Sequence, residues 1–223
     1  MTAIGDNNAA SEGHAPTRAA DQQGVADSNP FATRFVRPGR LAYRFANSQD
    51  AGQLVTRLRE SGWRGQIVGP HGTGKSTLLA DLAPLLEAAG RELATYRLTS
   101  SDTSPSWSRS DWRSATLVVV DGYEQLGWWS RWRLSRRVAR AGCGLLITSH
   151  ADQGLPLIHE TTADEQATIE LALELQGGDG PIDEPQMRSA FAGCQGNVRE
   201  FLFALYDLYE DRRGPDRSPA EEA

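Results

Sequence analysis

Apolar and polar positions along the chain fall into two regimes. Up to about residue 160, short apolar runs alternate with stretches of helical period. Positions 65–68, 92–98, 116–120 and 144–148 predict strands, with 155–159 as a short fifth. The runs at 116–120 and 144–148 are almost wholly apolar, as strands buried on both faces of a parallel sheet are. Leu54, Val55 and Leu58 mark one face of a helix over 50–61. Leu78, Leu79, Leu82, Leu85 and Leu86 mark another over 75–89, where Pro84 predicts a kink. A third helix is expected over 129–140. Beyond residue 160 only helical periods remain. Thr162 to Glu165 reads as a capping box ahead of Ile169, Ala172 and Leu173. A second helix follows over 184–192 and a third over 197–211, the latter with Phe201, Leu202, Leu205 and Leu208 on one face. The pattern predicts an α/β protein: a three-layer parallel-sheet core over 30–160 and a small C-terminal helical lid over 161–211. Residues 1–29 and 212–223 lack the apolar content to fold and are expected to be disordered tails.

Composition narrows the function classes. The chain has 223 residues and a formal net charge of −6, which suits one domain and argues against a generic nucleic-acid binder. No apolar run reaches the length of a membrane-spanning helix, and the first 29 residues lack the apolar centre of a secretory signal. Cys143 and Cys194 make neither a disulfide framework nor a metal motif, so a reducing cytoplasm is the expected setting. The sequence holds 22 Arg and a single Lys, Lys75. Where only positive charge is needed, Arg serves; a compact ammonium retained once points to a site that needs it.

Lys75 lies in Gly69-Pro70-His71-Gly72-Thr73-Gly74-Lys75-Ser76-Thr77, a G-x-x-x-x-G-K-S phosphate-binding loop between an apolar strand and an amphipathic helix. Its glycines let successive backbone N–H groups turn inward around phosphate oxygens, and the helix start adds positive dipole. Lys75 would reach the terminal phosphates and Ser76 would hold Mg²⁺. His71 occupies a variable position and reads best as a solvent-facing loop residue. The buried run 116–120 ends in Asp121, a second Mg²⁺ ligand in the Walker B manner at the carboxyl end of a central strand.

With these motifs in this order the chain resembles the P-loop NTPases of the additional-strand class, and more narrowly the AAA+ ATPases. The resemblance implies ATP and Mg²⁺ as ligands, and the lack of a guanine-specifying N/T-K-x-D motif agrees. It implies that the strand 144–148 lies between the phosphate-loop strand and the Asp121 strand. Thr148 or Ser149 at its tip would then be a γ-phosphate sensor, with His150 nearby. It also implies that Arg199, in Gly196-Asn197-Val198-Arg199-Glu200, is a second sensor reaching back from the lid; the plainer reading is Gly and Asn as helix punctuation. Two departures stand out. The acid usually found directly after the strand Asp is replaced by Gly122, and the nearest acid is Glu124. Glu124 is either the general base or a helix-start acid near the dipole. The segment 150–160, where the family places an arginine finger, has no Arg.

Two further segments stay open between packing and function. The stretch 128–140 holds Trp128, Trp129 and Trp132 with Arg131, Arg133, Arg136, Arg137 and Arg140. Its first reading is aromatics packed inward with solvated arginines; a protein-partner surface and a nucleic-acid surface follow. Segment 31–45 alternates aromatics with Arg and reads as a clamp across the sheet edge, or as a wrap around a purine. The function expected is Mg-ATP binding and hydrolysis coupled to lid movement and a partner. The alternatives are a non-hydrolysing switch or adaptor, and a nucleic-acid-associated loader.

Overall fold

The computed structural model describes residues 29–45, 49–99, 111–178 and 180–213. The expected tails, apart from Asn29 and residues 212–213, lie outside the described residues, as does Trp107.

Five strands form one parallel sheet: β1 (Arg64–Val68), β2 (Glu92–Arg97), β3 (Thr116–Asp121), β4 (Gly144–Ser149) and β5 (Leu157–Glu160). Their order is β2-β3-β4-β1-β5, so β4 does lie between β1 and β3. Helices α1 (Ala51–Glu60), α2 (Lys75–Ala88) and α3 (Trp128–Ala141) cover the sheet, and α4 (Glu165–Leu175), α5 (Glu184–Gly193) and α6 (Val198–Arg213) follow it. Among the described residues no helix is long and apolar enough to cross a membrane.

The side-chain period of the strands sorts the core into two layers. Leu117 and Val119 of β3, with Ile67 and Leu146, pack against Leu54 and Leu58 of α1 and Leu78, Leu82 and Leu86 of α2. Val118 and Val120, with Leu145 and Ile147, pack on the other face against Leu134 and Val138 of α3. Helix α2 runs on through Pro84. A third apolar cluster joins Ile169, Met187, Phe201 and Leu205 of the C-terminal helices, and Phe31 is fully buried within it. The segment 31–45 therefore clamps those helices as well as the sheet edge. Asn29 extends the tie, donating to Tyr206 O at 2.9 Å and Glu210 Oε1 at 2.8 Å.

Two local expectations are corrected. The cap of α4 is Asp164, whose carboxylate accepts from Ala167 N at 2.7 Å, rather than Thr162. A full capping box forms instead at α5, between Asp183 and Gln186. The tryptophans of α3 do not pack inward: Trp128, Trp129 and Trp132 are 66%, 59% and 47% exposed, with Trp128 stacked on Trp129 and Trp132 edge-on to Trp129. Leu134 and Val138 fill the core face, so the aromatic positions are left to solvent. Arg131 is the side chain that turns in. It donates to Leu126 O at 2.8 Å and Gln153 Oε1 at 2.7 Å. Arg137 lies over the Trp112 ring.

Candidate functional site

The carboxyl ends of β1, β3 and β4 open into a cavity of about 640 Å³, roofed by the C-terminal helices and walled by segment 33–44. A parallel sheet whose neighbouring strands diverge at their carboxyl ends leaves such a crevice. The loop between β1 and α2, with the first turn of α2, supplies His71 to Thr77 to its wall. Close approaches fix that loop. A Cβ on Gly69 would collide with Thr161, and one on Gly72, at φ +73°, with the side-chain amide of Asn197. Thr73 Oγ1 meets Pro70 O at 2.9 Å and Thr161 Oγ1 at 2.7 Å, tying the loop to the end of β5.

Lys75 Nζ donates to Gly69 O at 2.5 Å and Pro70 O at 2.6 Å, and stands 3.4 Å from His150 Nδ1. Burial pulls its ammonium below the ordinary lysine range, opposed by the charges of Glu124 and Asp121. The ammonium thus sits on carbonyl oxygens at the mouth of the glycine-rich loop. Ser76 Oγ donates to Asp121 Oδ2 at 2.7 Å, and Thr148 Oγ1 donates to Asp121 Oδ1 at 2.7 Å. Hydroxyl and carboxylate oxygens side by side on the cavity wall are the donor set of a hard divalent cation that keeps several waters, so the residues present fit Mg²⁺.

Glu124 stands on a single 3₁₀ turn, Tyr123–Gln125, ahead of α3 and apart from its first turn. Gly122 makes the turn possible. It sits at φ +87°, donates its N–H to Thr148 Oγ1 at 2.9 Å, and passes so close to Leu98 O that a Cβ would lie 2.9 Å away. The turn carries Glu124 back to the cavity, where Oε1 pairs with His150 Nε2 at 2.6 Å. Its other oxygen is buried without a hydrogen-bond partner. His150 in turn stacks on His71, ring centroids 3.5 Å apart. Burial, together with the charges of His150 and Lys75, lowers the His71 pKa.

The remaining expected residues separate. Thr148 and His150 line the cavity, whereas the Ser149 hydroxyl donates to Ala151 O. Arg199 lines the cavity from α6, its guanidinium over the Phe203 ring at 5.7 Å. Asn197 both caps α6, accepting from Glu200 N at 3.3 Å, and presses on Gly72, so punctuation and loop contact are one feature. Tyr43 lies against Gly74 and bonds His159 at 3.2 Å, and burial pushes its phenol up to about 12. Three contributors escaped the sequence reading: the Glu124–His150 pair, Thr161, and Arg97. The last ends β2 beside Asp121 and reaches its Oδ2 at 3.4 Å. The one available signal for Arg97 was its place near a strand's carboxyl end.

The sequence matches no protein-family model and no curated protein. Solved structures are similar in fold. Cdc6p from Pyrobaculum aerophilum aligns at 14% identity and a TM-score of 0.53, over 75% of this chain and 62% of that one. The replication initiator DnaA, bound to AMPPCP and single-stranded DNA, aligns at 14% identity and 0.53, over 79% and 68%. A Walker-type ATPase of Pyrococcus abyssi aligns at 12% identity and 0.54, over 84% and 72%. This chain spans about 62% of the length of the Pyrobaculum protein. The chain shares with these structures a three-layer α/β fold built on a parallel sheet, followed by C-terminal helices.

Proposed function

We propose that this chain binds Mg-ATP in the cavity between the sheet and the C-terminal helices and hydrolyses it. The observation that carries the reading is the convergence of Lys75, the Ser76–Asp121 oxygen pair and Glu124 on one cavity beside the glycine-rich loop. Fold neighbours described as a Walker-type ATPase and as bound to AMPPCP support a nucleotide as the ligand. The loop amides and Lys75 hold the β- and γ-phosphates. Ser76 and Asp121 hold Mg²⁺, which screens phosphate charge when bound. Tyr43 and its neighbours in the clamp segment form the wall for the base. Glu124 accepts a proton from water as the water oxygen bonds to the γ-phosphorus. The bond from that phosphorus to the bridging oxygen breaks, and its electron pair leaves with ADP. Thr148 orients Asp121. Arg199 and Asn197 link the phosphates to α6, so nucleotide state moves the C-terminal helices and is read by a protein partner.

Glu124→Gln tests the base. The expected outcome is a loss of phosphate release of about 10²-fold or more with nucleotide affinity kept, since a positioned base contributes on that scale. A second reading, a non-hydrolysing switch, is favoured by the hold of His150 on Glu124 Oε1. It predicts equal, background-level release from both proteins. A nucleic-acid loader is less favoured, because Arg131 and Arg137 are engaged within the fold and fewer arginines remain for phosphates.

A further inference from the structure

Arg97 is not explained by the phosphate loop, by the core or by the C-terminal helices. It is the last residue of β2 and stands level with Asp121 in the β2–β3 ladder. Its side chain lines the cavity, 66% exposed, with Nε 3.4 Å from Asp121 Oδ2. The contact is long and its Arg97 side is mostly in solvent, so fold stability gives little reason for it. Asp121 has, besides, two closer partners in Ser76 and Thr148, each at 2.7 Å. A guanidinium beside a carboxylate whose oxygens are already engaged has charge and donors to offer to another anion in the same cavity. Phosphate oxygens suit its planar fork better than a carboxylate shared three ways.

We infer that Arg97 is a catalytic residue that binds the γ-phosphate oxygens and stabilises the charge spread over them in the transition state, as the bridging bond breaks and its electron pair leaves with ADP. The inference rests on the Mg-ATP reading above and deepens it. The chain then carries in cis the guanidinium that is absent from segment 150–160. Arg97 lines the cavity from the sheet, and Arg199 lines it from α6. Because the arginine belongs to the same chain as the loop, each molecule is complete, and turnover needs no neighbour.

The test uses the full chain with Arg97→Ala and Arg97→Lys, substitutions at a side chain that is itself mostly exposed. Expected for Arg97→Ala is a fall in kcat of about 10³-fold, the scale of a transition-state arginine, with a change in Mg-ATP Kd below about tenfold. Arg97→Lys should restore part of kcat, since it keeps the charge and loses the fork. Binding gives a readout apart from turnover: Arg97→Ala should lose the added affinity for ADP with aluminium fluoride while its affinity for ADP alone stays at the wild-type level. Wild-type activity per molecule should stay flat across a wide range of protein concentration. Unchanged kcat and unchanged aluminium fluoride binding in Arg97→Ala, in a wild type that turns over, overturn the inference and leave the Mg-ATP reading intact. So does activity per molecule that climbs with concentration, which would place the guanidinium on a neighbour. Loss of ADP and ATP affinity together would make Arg97 a ground-state binder and overturn it as well. A wild type that binds Mg-ATP without releasing phosphate overturns the hydrolysis reading and this inference together.

Discussion

The Lys75→Ala protein is expected to bind Mg-ATP about 100-fold more weakly than the wild type and to release phosphate no faster than a buffer blank. Hydrogen bonds from a charged donor are worth about 1.5–3 kcal/mol each, and a loss of about 3 kcal/mol is about 100-fold in affinity. Lys75 carries the only ammonium side chain in the sequence. It rests on Gly69 O and Pro70 O, so phosphate oxygens would replace weak carbonyl partners with charged ones. Burial already lowers its pKa, so an arriving anion also relieves the cost of holding that charge half-buried. Arg at this position should not rescue, because a broad planar guanidinium would replace the compact ammonium that sits on Gly69 O and Pro70 O. The measurement is equilibrium titration with Mg-ATP, with phosphate release in parallel. Affinity within about threefold of wild type, less than the effect of one ordinary hydrogen bond, would place the nucleotide elsewhere.

Phe31→Ala is expected to destabilise the protein by about 3–5 kcal/mol, the usual cost of truncating a fully buried phenylalanine. Phe31 lies among Ile169, Met187, Phe201 and Leu205, with its ring edge-on to Tyr209 at 6.1 Å. It is the apolar anchor of the segment that carries Tyr43 to Gly74 and Arg44 to Glu174. Freeing that segment loosens the wall of the cavity as well as the C-terminal helices. Nucleotide affinity should therefore fall along with the urea midpoint. A stability change below about 1 kcal/mol would be out of line with a buried ring at this site, and would mean the clamp does not hold these helices.

What the sequence made legible was what local periodicity and fixed spacing encode. The almost wholly apolar runs leading to Asp121 and Ser149 read as buried strands, and β3 and β4 are buried along their whole length. The G-x-x-x-x-G-K-S spacing placed the loop at the carboxyl edge of β1. Two stripes on α3 were harder to tell apart. Trp129 and Trp132 are three residues apart and Leu134 and Val138 four, so both have helical spacing, and only the sheet's position decides which faces inward. Phe31 was illegible for another reason: the other buried members of its cluster are at least 138 positions away, at Ile169 and beyond. Glu124 needed the geometry of the Gly122 turn, which a string of residues does not specify. Arg97 and Asn197 are polar residues at element ends, where most polar residues simply face water. Their meaning comes from Asp121 and Gly72 lying opposite.

The central claim is that the cavity takes a nucleoside triphosphate together with a divalent cation. It is tested most directly by calorimetric titration of the full chain with ATP, with and without Mg²⁺, set beside Asp121→Ala. The account predicts a single site per chain in wild type and tighter binding with Mg²⁺. The Mg²⁺ dependence should be lost in Asp121→Ala, where the Ser76 hydroxyl loses its carboxylate neighbour. Absence of binding at millimolar ATP, or binding that Asp121→Ala leaves equally sensitive to Mg²⁺, would contradict it.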